Sequence, residues 1–135
     1  METLTIGRLA ERCGMNLETV RFYEREGLLP PPPRNSSGHR SYSVRAVAQL
    51  RFIRRCQQLA FSLHQIKELV ALRRDPEQPC ADVIRQIDGK TQEVERRITQ
   101  LRAIRRALQR LKDSCEGTCH VSECPILESL GTEAA

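Results

Sequence analysis

Apolar residues recur at helical spacing through most of the chain, and turn-forming residues divide this pattern into segments. The first segment begins at Ile6 and stops at Gly14. Asn16 then offers an N-cap for a second helix that ends near Gly27. Two short helices joined by a tight turn containing glycine are typical of a helix-turn-helix. The pattern therefore predicts this motif near the start of the chain.

The segment 30–42 cannot be helical, because it opens with four consecutive prolines. Its centre at 35–38 reads Asn-Ser-Ser-Gly, which is typical of a hairpin turn. Three basic side chains and one aromatic side chain flank this turn, namely Arg34, His39, Arg40 and Tyr42. We therefore expect a small, basic β-hairpin wing.

Two further helices are predicted after the wing, because Ser43 and Ser62 each precede an apolar-periodic run and can serve as N-caps. Asp75-Pro76 then ends this part of the chain. We expect residues 1–75 to form one head domain, and we place four apolar residues in its core, namely Phe22, Val47, Ile66 and Leu69.

A much longer amphipathic pattern runs without proline from Cys80 to about Lys112. Its apolar stripe consists of seven residues, Ile87, Val94, Ile98, Leu101, Ile104, Leu108 and Leu111. A helix of this length extends roughly 50 Å, and a small head cannot cover its stripe. We therefore predict that residues 76–113 form a coiled-coil helix and that the protein is a homodimer.

The size and charge of the chain narrow its function. Its 135 residues exclude a large enzyme fold. Residues 1–60 carry ten Arg, no Lys and five Glu, whereas the remaining residues carry twelve basic and twelve acidic side chains. The whole formal excess of +5 therefore lies in the head. An arginine-rich head favours recognition of phosphate or bases in a nucleic acid.

The sequence gives no sign of a membrane partner. No run approaches the roughly 18 to 20 apolar residues that a membrane-spanning helix needs, and the first residues lack the features of a secretory signal. We therefore expect a cytoplasmic protein. In that compartment the six cysteines are expected to remain thiols that are free to bind metal or to serve redox chemistry.

Three of the thiols, Cys115, Cys119 and Cys124, lie in the segment 114–135, which we predict to be a metal-binding loop followed by a short helix and a tail. Gly117 lies between Cys115 and Cys124 and allows both sulfurs to turn toward one ion. Cys80 lies about 50 Å away in its own chain if the helix is continuous. If the helices of a dimer run antiparallel, the partner subunit's Cys80 would reach this pair and form a site shared between chains.

Soft thiolate ligands favour zinc, cadmium, mercury or lead over calcium or magnesium. Cys119 and His120 are further candidate ligands in the same loop. Cys13 and Cys56 instead lie in apolar-periodic helices and are expected to be buried packing thiols.

Together, several motifs resemble the MerR family of bacterial transcription regulators: Leu-Thr-Ile-Gly-Arg-Leu-Ala at 4–10, Glu-Thr-Val-Arg-Phe-Tyr-Glu-Arg-Glu-Gly-Leu-Leu-Pro at 18–30, Arg-Ser-Tyr at 40–42, Arg-Phe-Ile at 51–53 and Phe-Ser-Leu-His-Gln-Ile-Lys-Glu-Leu at 61–69. The resemblance implies an all-α fold with a small β-hairpin wing, in which a winged helix-turn-helix head precedes a long antiparallel dimerisation coiled coil. It also implies a homodimer that binds double-stranded promoter DNA. Its metal-bound form would distort an overlong promoter spacer so that RNA polymerase activates metal-resistance and efflux genes.

Matched residue by residue, Arg21, Tyr23, Arg40 and Tyr42 fall on the family's phosphate-contacting positions. The full set of candidate DNA-contacting residues is Asn16, Glu18, Thr19, Arg21, Tyr23, Arg34, His39, Arg40 and Tyr42. A regulator with this architecture is not expected to be an enzyme.

The resemblance also bears on the effector ion. Copper-type sensors of the family have serine where this chain has Cys80, which argues for a divalent ion. The segments 113–120 and 124–130 resemble zinc sensors, while the spacing of Cys80, Cys115 and Cys124 resembles mercury sensors. The segment 22–30 resembles the zinc, cadmium and lead sensors more than the mercury sensors. We therefore expect a zinc, cadmium or lead effector, with a mercury(II)-responsive regulator as the alternative. A thiol-redox sensor is a less favoured alternative.

Overall fold

The structure, a computed structural model, describes residues 3–132 and divides the chain into two units, Met1–Gln86 and Ile87–Ala135. The helices are α1 (Ile6–Arg12), α2 (Leu17–Arg25), α3 (Val44–Gln58), α4 (Leu63–Arg74), α5 (Cys80–Asp113) and α6 (Pro125–Gly131), with a 3₁₀ turn at Val121–Glu123. Within the described range, no helix is both long enough and apolar enough to span a membrane.

The predicted helix-turn-helix is confirmed by α1 and α2. Gly14 adopts a φ of +64°, a conformation that favours glycine, and this ends the first helix. The side chain of Asn16 accepts a hydrogen bond from the backbone N–H of Thr19 at 3.2 Å and so caps α2. Arg54 of α3 donates to the carbonyl of Cys13 at 2.6 Å and holds the turn between the two helices.

The predicted β-hairpin wing is not supported, because residues 3–132 contain no strand. The turn itself is present: Gly38 has a φ of +79°, and the N–H of Asn35 donates to the carbonyl of His39 at 2.7 Å. Only one antiparallel bridge, between Arg34 and Arg40, flanks it. The preceding run of four prolines lacks the N–H donors that a longer ladder needs.

The core of the first unit gathers side chains from α1, α2, α3 and α4, and it includes Leu9, Val20, Tyr23, Val47, Leu50, Ile53, Ile66 and Leu69. Three of the four predicted core residues are therefore buried. The prediction for Phe22 is wrong, because its side chain is 38% exposed while the adjacent Tyr23 is 1% exposed. Successive residues of a helix point about 100° apart, so only one of the two aromatic rings can face the core.

The two buried thiols of the first unit are Cys13 and Cys56, as predicted. Burial raises the pKa of both thiols, and each belongs to the apolar core. Neither is therefore a thiolate available to a metal at neutral pH.

The caps of α3 and α4 differ. Ser62 accepts a hydrogen bond from the N–H of Gln65 at 3.2 Å, and the Oε1 atom of Gln65 accepts one from the N–H of Ser62 at 2.8 Å. This is a complete capping box at the start of α4. Ser43 occupies the N-cap position of α3, but its side chain makes no capping hydrogen bond.

The second unit contains most of α5, the 3₁₀ turn and α6. The predicted long helix is confirmed, since α5 extends over 34 residues. Its apolar side chains in this unit are exposed in the single chain, and they include Ile87, Val94, Ile98, Leu101, Ile104 and Leu108. This stripe therefore remains available to another apolar surface.

Candidate metal centre and nucleic-acid interface

The structure brings together the three thiols that follow α5. The sulfur atoms of Cys115, Cys119 and Cys124 all lie within 4.8 Å of one another. Cys115 and Cys124 are partly buried, whereas Cys119 is exposed. Within the described range, this is the one cluster of three or more His, Cys, Asp or Glu side chains that is compact enough to hold an ion.

Local backbone geometry closes this loop. Gly117 has a φ of +83°, which reverses the chain between Cys115 and Cys119. Its N–H points back to the Sγ atom of Cys115 at 3.4 Å. After Cys119, the 3₁₀ turn at Val121–Glu123 brings Cys124 back toward the first two sulfurs. The start of α6 at Pro125 then fixes the end of the loop.

The thiols of Cys115 and Cys119 differ in how readily they ionise. The Gly117 N–H, together with hydrogen bonds from Cys119 and Cys124, lowers the pKa of the Cys115 thiol. The hydrogen bond with Cys115 raises the pKa of the Cys119 thiol, and their Sγ atoms are 3.4 Å apart. Cys115 therefore ionises more readily than Cys119, because neighbouring donors stabilise its thiolate.

The donor set fits a soft metal ion. Zinc–thiolate bonds of about 2.3 Å in a tetrahedral site place two sulfurs about 3.8 Å apart. The separations between the observed sulfurs need to change by at most about 1 Å to meet such a requirement. Cys115, Cys119 and Cys124 can therefore supply three ligands from one short segment.

The other two predicted ligands lie outside this cluster. His120 is an exposed residue that precedes the 3₁₀ turn. Cys80 is exposed at the first position of α5. The structure thus groups Cys119 with Cys115 and Cys124, whereas a role for His120 or Cys80 stays a prediction.

A basic cleft lies on the first unit, between α2 and the segment 40–42. Its volume is about 540 Å³, and it is lined by Ile6, Arg21, Glu24, Arg25, Pro31 and Arg40. Three guanidinium groups therefore face one concave surface that holds a single carboxylate. A backbone phosphate of a nucleic acid suits this combination of shape and charge.

Glu24 lines the cleft and contacts two of the predicted wing residues, Arg40 and Tyr42. One carboxylate oxygen pairs with the guanidinium of Arg40, and the other accepts a hydrogen bond from the Tyr42 hydroxyl at 2.5 Å. The Glu24 side chain is 8% exposed, and that of Arg40 is 42% exposed. Burial raises the pKa of the Tyr42 phenol, which therefore remains a donor at neutral pH.

The remaining candidate DNA-contacting residues differ in their availability. Glu18, Arg34 and His39 are exposed, and the partly buried Thr19 follows the capping residue Asn16. Arg21 is exposed on the outer face of α2, where it pairs with Glu18 at 2.9 Å. Tyr23 and Tyr42 are each 1% exposed. Their rings belong to the core, so in this conformation neither hydroxyl reaches the surface.

Two functional candidates were missed from the sequence. Arg25 lines the cleft with Arg21, and their separation of four residues on α2 is a signal that could have identified it. Glu24 has no comparable signal, because its role depends on contacts with residues 16 and 18 positions later in the chain.

Comparison with protein families identifies the architecture that carries these sites. The family model for the MerR HTH family regulatory protein matches residues 4–72, and a second model, described as MerR, DNA binding, matches residues 47–111. The chain belongs to the MerR family. The resemblance found in the motifs of the first 69 residues is thus confirmed.

Similar MerR-family proteins cover nearly the whole chain. The mercuric resistance operon regulatory protein of Bacillus cereus is 42% identical over 93% of this chain and 95% of its own length. The HTH-type transcriptional regulator ZntR of Escherichia coli K12 is 41% identical over 93% of this chain and 90% of its own length. The lead(II) complex of PbrR691 from Ralstonia metallidurans CH34 has a TM-score of 0.86 and 38% identity, covering 94% of this chain and 98% of that one.

Proposed function

We propose that this chain is a metal-responsive transcriptional regulator that binds a promoter operator as a homodimer. It activates metal-resistance or efflux genes by distorting the DNA when a soft divalent ion binds its cysteine ligands. The observation that carries the proposal is the convergence of three sulfurs within 4.8 Å in a MerR-family chain. In this proposal the protein binds promoter DNA in the cytoplasm and acts there on RNA polymerase. It is therefore a regulator rather than an enzyme.

The head supplies the DNA interface in this proposal. Arg21 and Arg40 contact backbone phosphates, supported by their exposure and by the basic cleft that they share. Asn16, Glu18 and Thr19 at the start of α2, and Arg34 and His39 beside the 35–38 turn, extend this surface as further candidates. Tyr23 and Tyr42 are buried, so in this conformation they support the interface by fixing α2 and the 40–42 segment. A direct contact with DNA would require their hydroxyls to turn outward on binding.

The salt dependence of DNA binding tests this interface. A plot of log K against log salt has a negative slope, and each phosphate contact that is lost makes this slope less steep by ~0.9. Replacing Arg21 or Arg40 with glutamine should therefore make the slope less steep and weaken binding to every duplex. Lys112→Gln, which removes one positive charge near the end of α5, is the matched control and should leave the slope unchanged. Unchanged slopes in both arginine variants would remove these residues from the interface.

The second unit supplies the dimer contact and part of the metal site. The exposed stripe of α5 is long enough to pair with a second α5 in an antiparallel coiled coil. In that arrangement the partner subunit's Cys80 joins Cys115 and Cys124, with Cys119 and His120 as further ligands. Each dimer then holds two symmetric sites, and the ion is zinc, cadmium or lead, with mercury(II) as the alternative.

Mixed dimers test the shared site. Chains with Cys80→Ser are mixed with chains carrying Cys115→Ser and Cys124→Ser, and heterodimers are verified by mass. A heterodimer retains one intact shared site, whereas neither parent homodimer retains any. Metal binding should therefore return on mixing, at one ion per heterodimer, with proton release as thiols become thiolates. Verified heterodimers without recovered binding would refute the shared site.

A thiol-redox sensor is the second candidate, and one distance favours it. The Sγ atoms of Cys115 and Cys119 are 3.4 Å apart, so a small movement would allow a disulfide to form when an oxidant accepts two electrons. Transcription that responds to peroxide without added metal would favour this candidate. Transcription that responds to an ion under reducing conditions would exclude it as the primary function.

A further inference from the structure

The carboxylate of Glu24 is the most completely engaged acidic group on α2. Its side chain is 8% exposed, compared with 70% for Glu18 and 34% for Glu26. One oxygen is paired with Arg40 and the other with the Tyr42 hydroxyl. Glu24 therefore joins the second helix of the helix-turn-helix to a segment that begins 15 residues after α2 ends.

These contacts indicate that Glu24 keeps Arg40 as its partner when DNA binds, and that the pair is not a temporary one that DNA replaces. If a DNA phosphate drew Arg40 away, the buried carboxylate would keep only the Tyr42 hydroxyl as its partner. Because the Glu24 side chain is only 8% exposed, leaving its charge without a cationic partner is unfavourable. Arg40 has no need to leave, because a guanidinium carries five N–H donors in a fixed fork. Its partly exposed side chain also lines the cleft with Arg21 and Arg25.

We propose that Glu24 is a positioning residue of the DNA interface, an inference that rests on the proposed function. It holds Arg40 and the 40–42 segment against α2, so that the remaining donors of Arg40 face the cleft where Arg21 and Arg25 also meet a backbone phosphate. These contacts fix the spacing between the phosphate contact and the candidate DNA-contacting residues at the start of α2, namely Asn16, Glu18 and Thr19. Its effect is therefore on discrimination between sequences rather than on attraction to DNA in general.

The variant Glu24→Gln separates these two effects. It removes a negative charge, which should leave binding to random duplex unchanged or make it tighter. It also removes the charged partner of Arg40 and leaves Tyr42 as its remaining contact, so Arg40 must be further ordered when the specific complex forms. Ordering one flexible side chain should weaken binding to the preferred duplex by roughly 5- to 10-fold. The ratio of specific to non-specific affinity should therefore fall by at least this factor.

The experiment measures both affinities by fluorescence anisotropy with the full-length dimer. The specific duplex is one selected from a random pool by the wild-type protein, and the comparison duplex has the same composition in scrambled order. Glu26→Gln is the matched control, because it removes the same charge from the end of α2 but breaks a pair with Lys67 of α4 at 2.9 Å. Its affinity ratio should stay within twofold of the wild type.

Tyr42→Phe keeps the aromatic ring in the core but removes one of the two donors to Glu24. The ratio of specific to non-specific affinity of Tyr42→Phe should also fall, but by a smaller factor than that of Glu24→Gln. If Glu24→Gln fails to fold, the ratio of Tyr42→Phe tests the inference instead. A folded Glu24→Gln protein with the wild-type ratio would overturn the inference. So would a Tyr42→Phe ratio equal to that of Glu26→Gln when Glu24→Gln is unfolded. A wild-type protein that prefers no duplex would instead refute the proposed function.

Discussion

Replacing Gly14 with alanine tests how the turn of the helix-turn-helix is held. Gly14 has a φ of +64°, and a Cβ atom added there would lie 2.5 Å from Nη1 of Arg54. The same Nη1 atom donates to the carbonyl of Cys13 at 2.6 Å and to that of Gly14 at 3.3 Å. The substitution therefore strains the backbone and displaces a guanidinium that links α3 to the turn.

The two effects have separable magnitudes. A left-handed conformation costs a residue with a side chain about 1 to 2 kcal/mol relative to glycine. Losing hydrogen bonds from a charged donor adds about 1 to 2 kcal/mol. We therefore expect Gly14→Ala to lower the free energy of unfolding by about 2 to 4 kcal/mol.

Urea unfolding at one fixed protomer concentration measures this change, because dimer stability depends on concentration. Gly27→Ala is the matched control, since Gly27 has a φ of +77° and its added Cβ would meet nothing within 4 Å. Gly27→Ala should lower the free energy of unfolding only by the cost of the left-handed backbone conformation, about 1 to 2 kcal/mol. In an Arg54→Ala background, Gly14→Ala should likewise cost only that amount. A Gly14→Ala protein no less stable than Gly27→Ala would refute the role of Arg54.

Three further predictions use the same structure. Ser62→Ala should destabilise the head by about 1 kcal/mol because it removes a capping box, whereas Ser43→Ala should be nearly neutral in the same urea experiment. Ala60→Gly should raise the free energy of unfolding by about 1 kcal/mol, because Ala60 has a φ of +65°; an unchanged midpoint would contradict this. In metal-free protein, iodoacetamide should modify Cys115 at a lower pH than Cys119, because the pKa of Cys115 is lowered and that of Cys119 is raised. Mass spectrometry should find Cys13 and Cys56 unmodified until the protein unfolds, and early modification of either would contradict their burial.

The helices could be predicted from the sequence because their ends carry local signals. Gly14, Asn16 and Ser62 act through their own backbone and near neighbours, and proline-free amphipathic periodicity is enough to identify α5. The turn of the wing could be predicted from local residues, but the prediction of strands gave too little weight to the four prolines, whose missing N–H donors prevent a longer ladder.

Tertiary packing accounts for the other differences. Phe22 and Tyr23 are adjacent aromatics, and the sequence pattern does not specify which of them faces the core. The spacing of the three loop thiols likewise does not specify that Cys119 joins the cluster, because this depends on the positive φ of Gly117 and on the 3₁₀ turn. Glu24 joins residues that are distant in sequence, so only the folded chain shows its contacts with Arg40 and Tyr42.

Ion-dependent transcription in vitro tests the central claim most directly. The promoter spacer of the template contains the duplex that was selected by the wild-type protein. Each reaction contains the regulator, RNA polymerase and one added ion, either zinc, cadmium, lead or mercury(II), under reducing conditions. At least one ion should raise transcript yield with the wild-type protein. The Cys115→Ser/Cys124→Ser variant should bind the same DNA but give no response. An equal response in that variant, or DNA binding by the wild-type protein with no response to any ion, would contradict regulation through the thiol cluster.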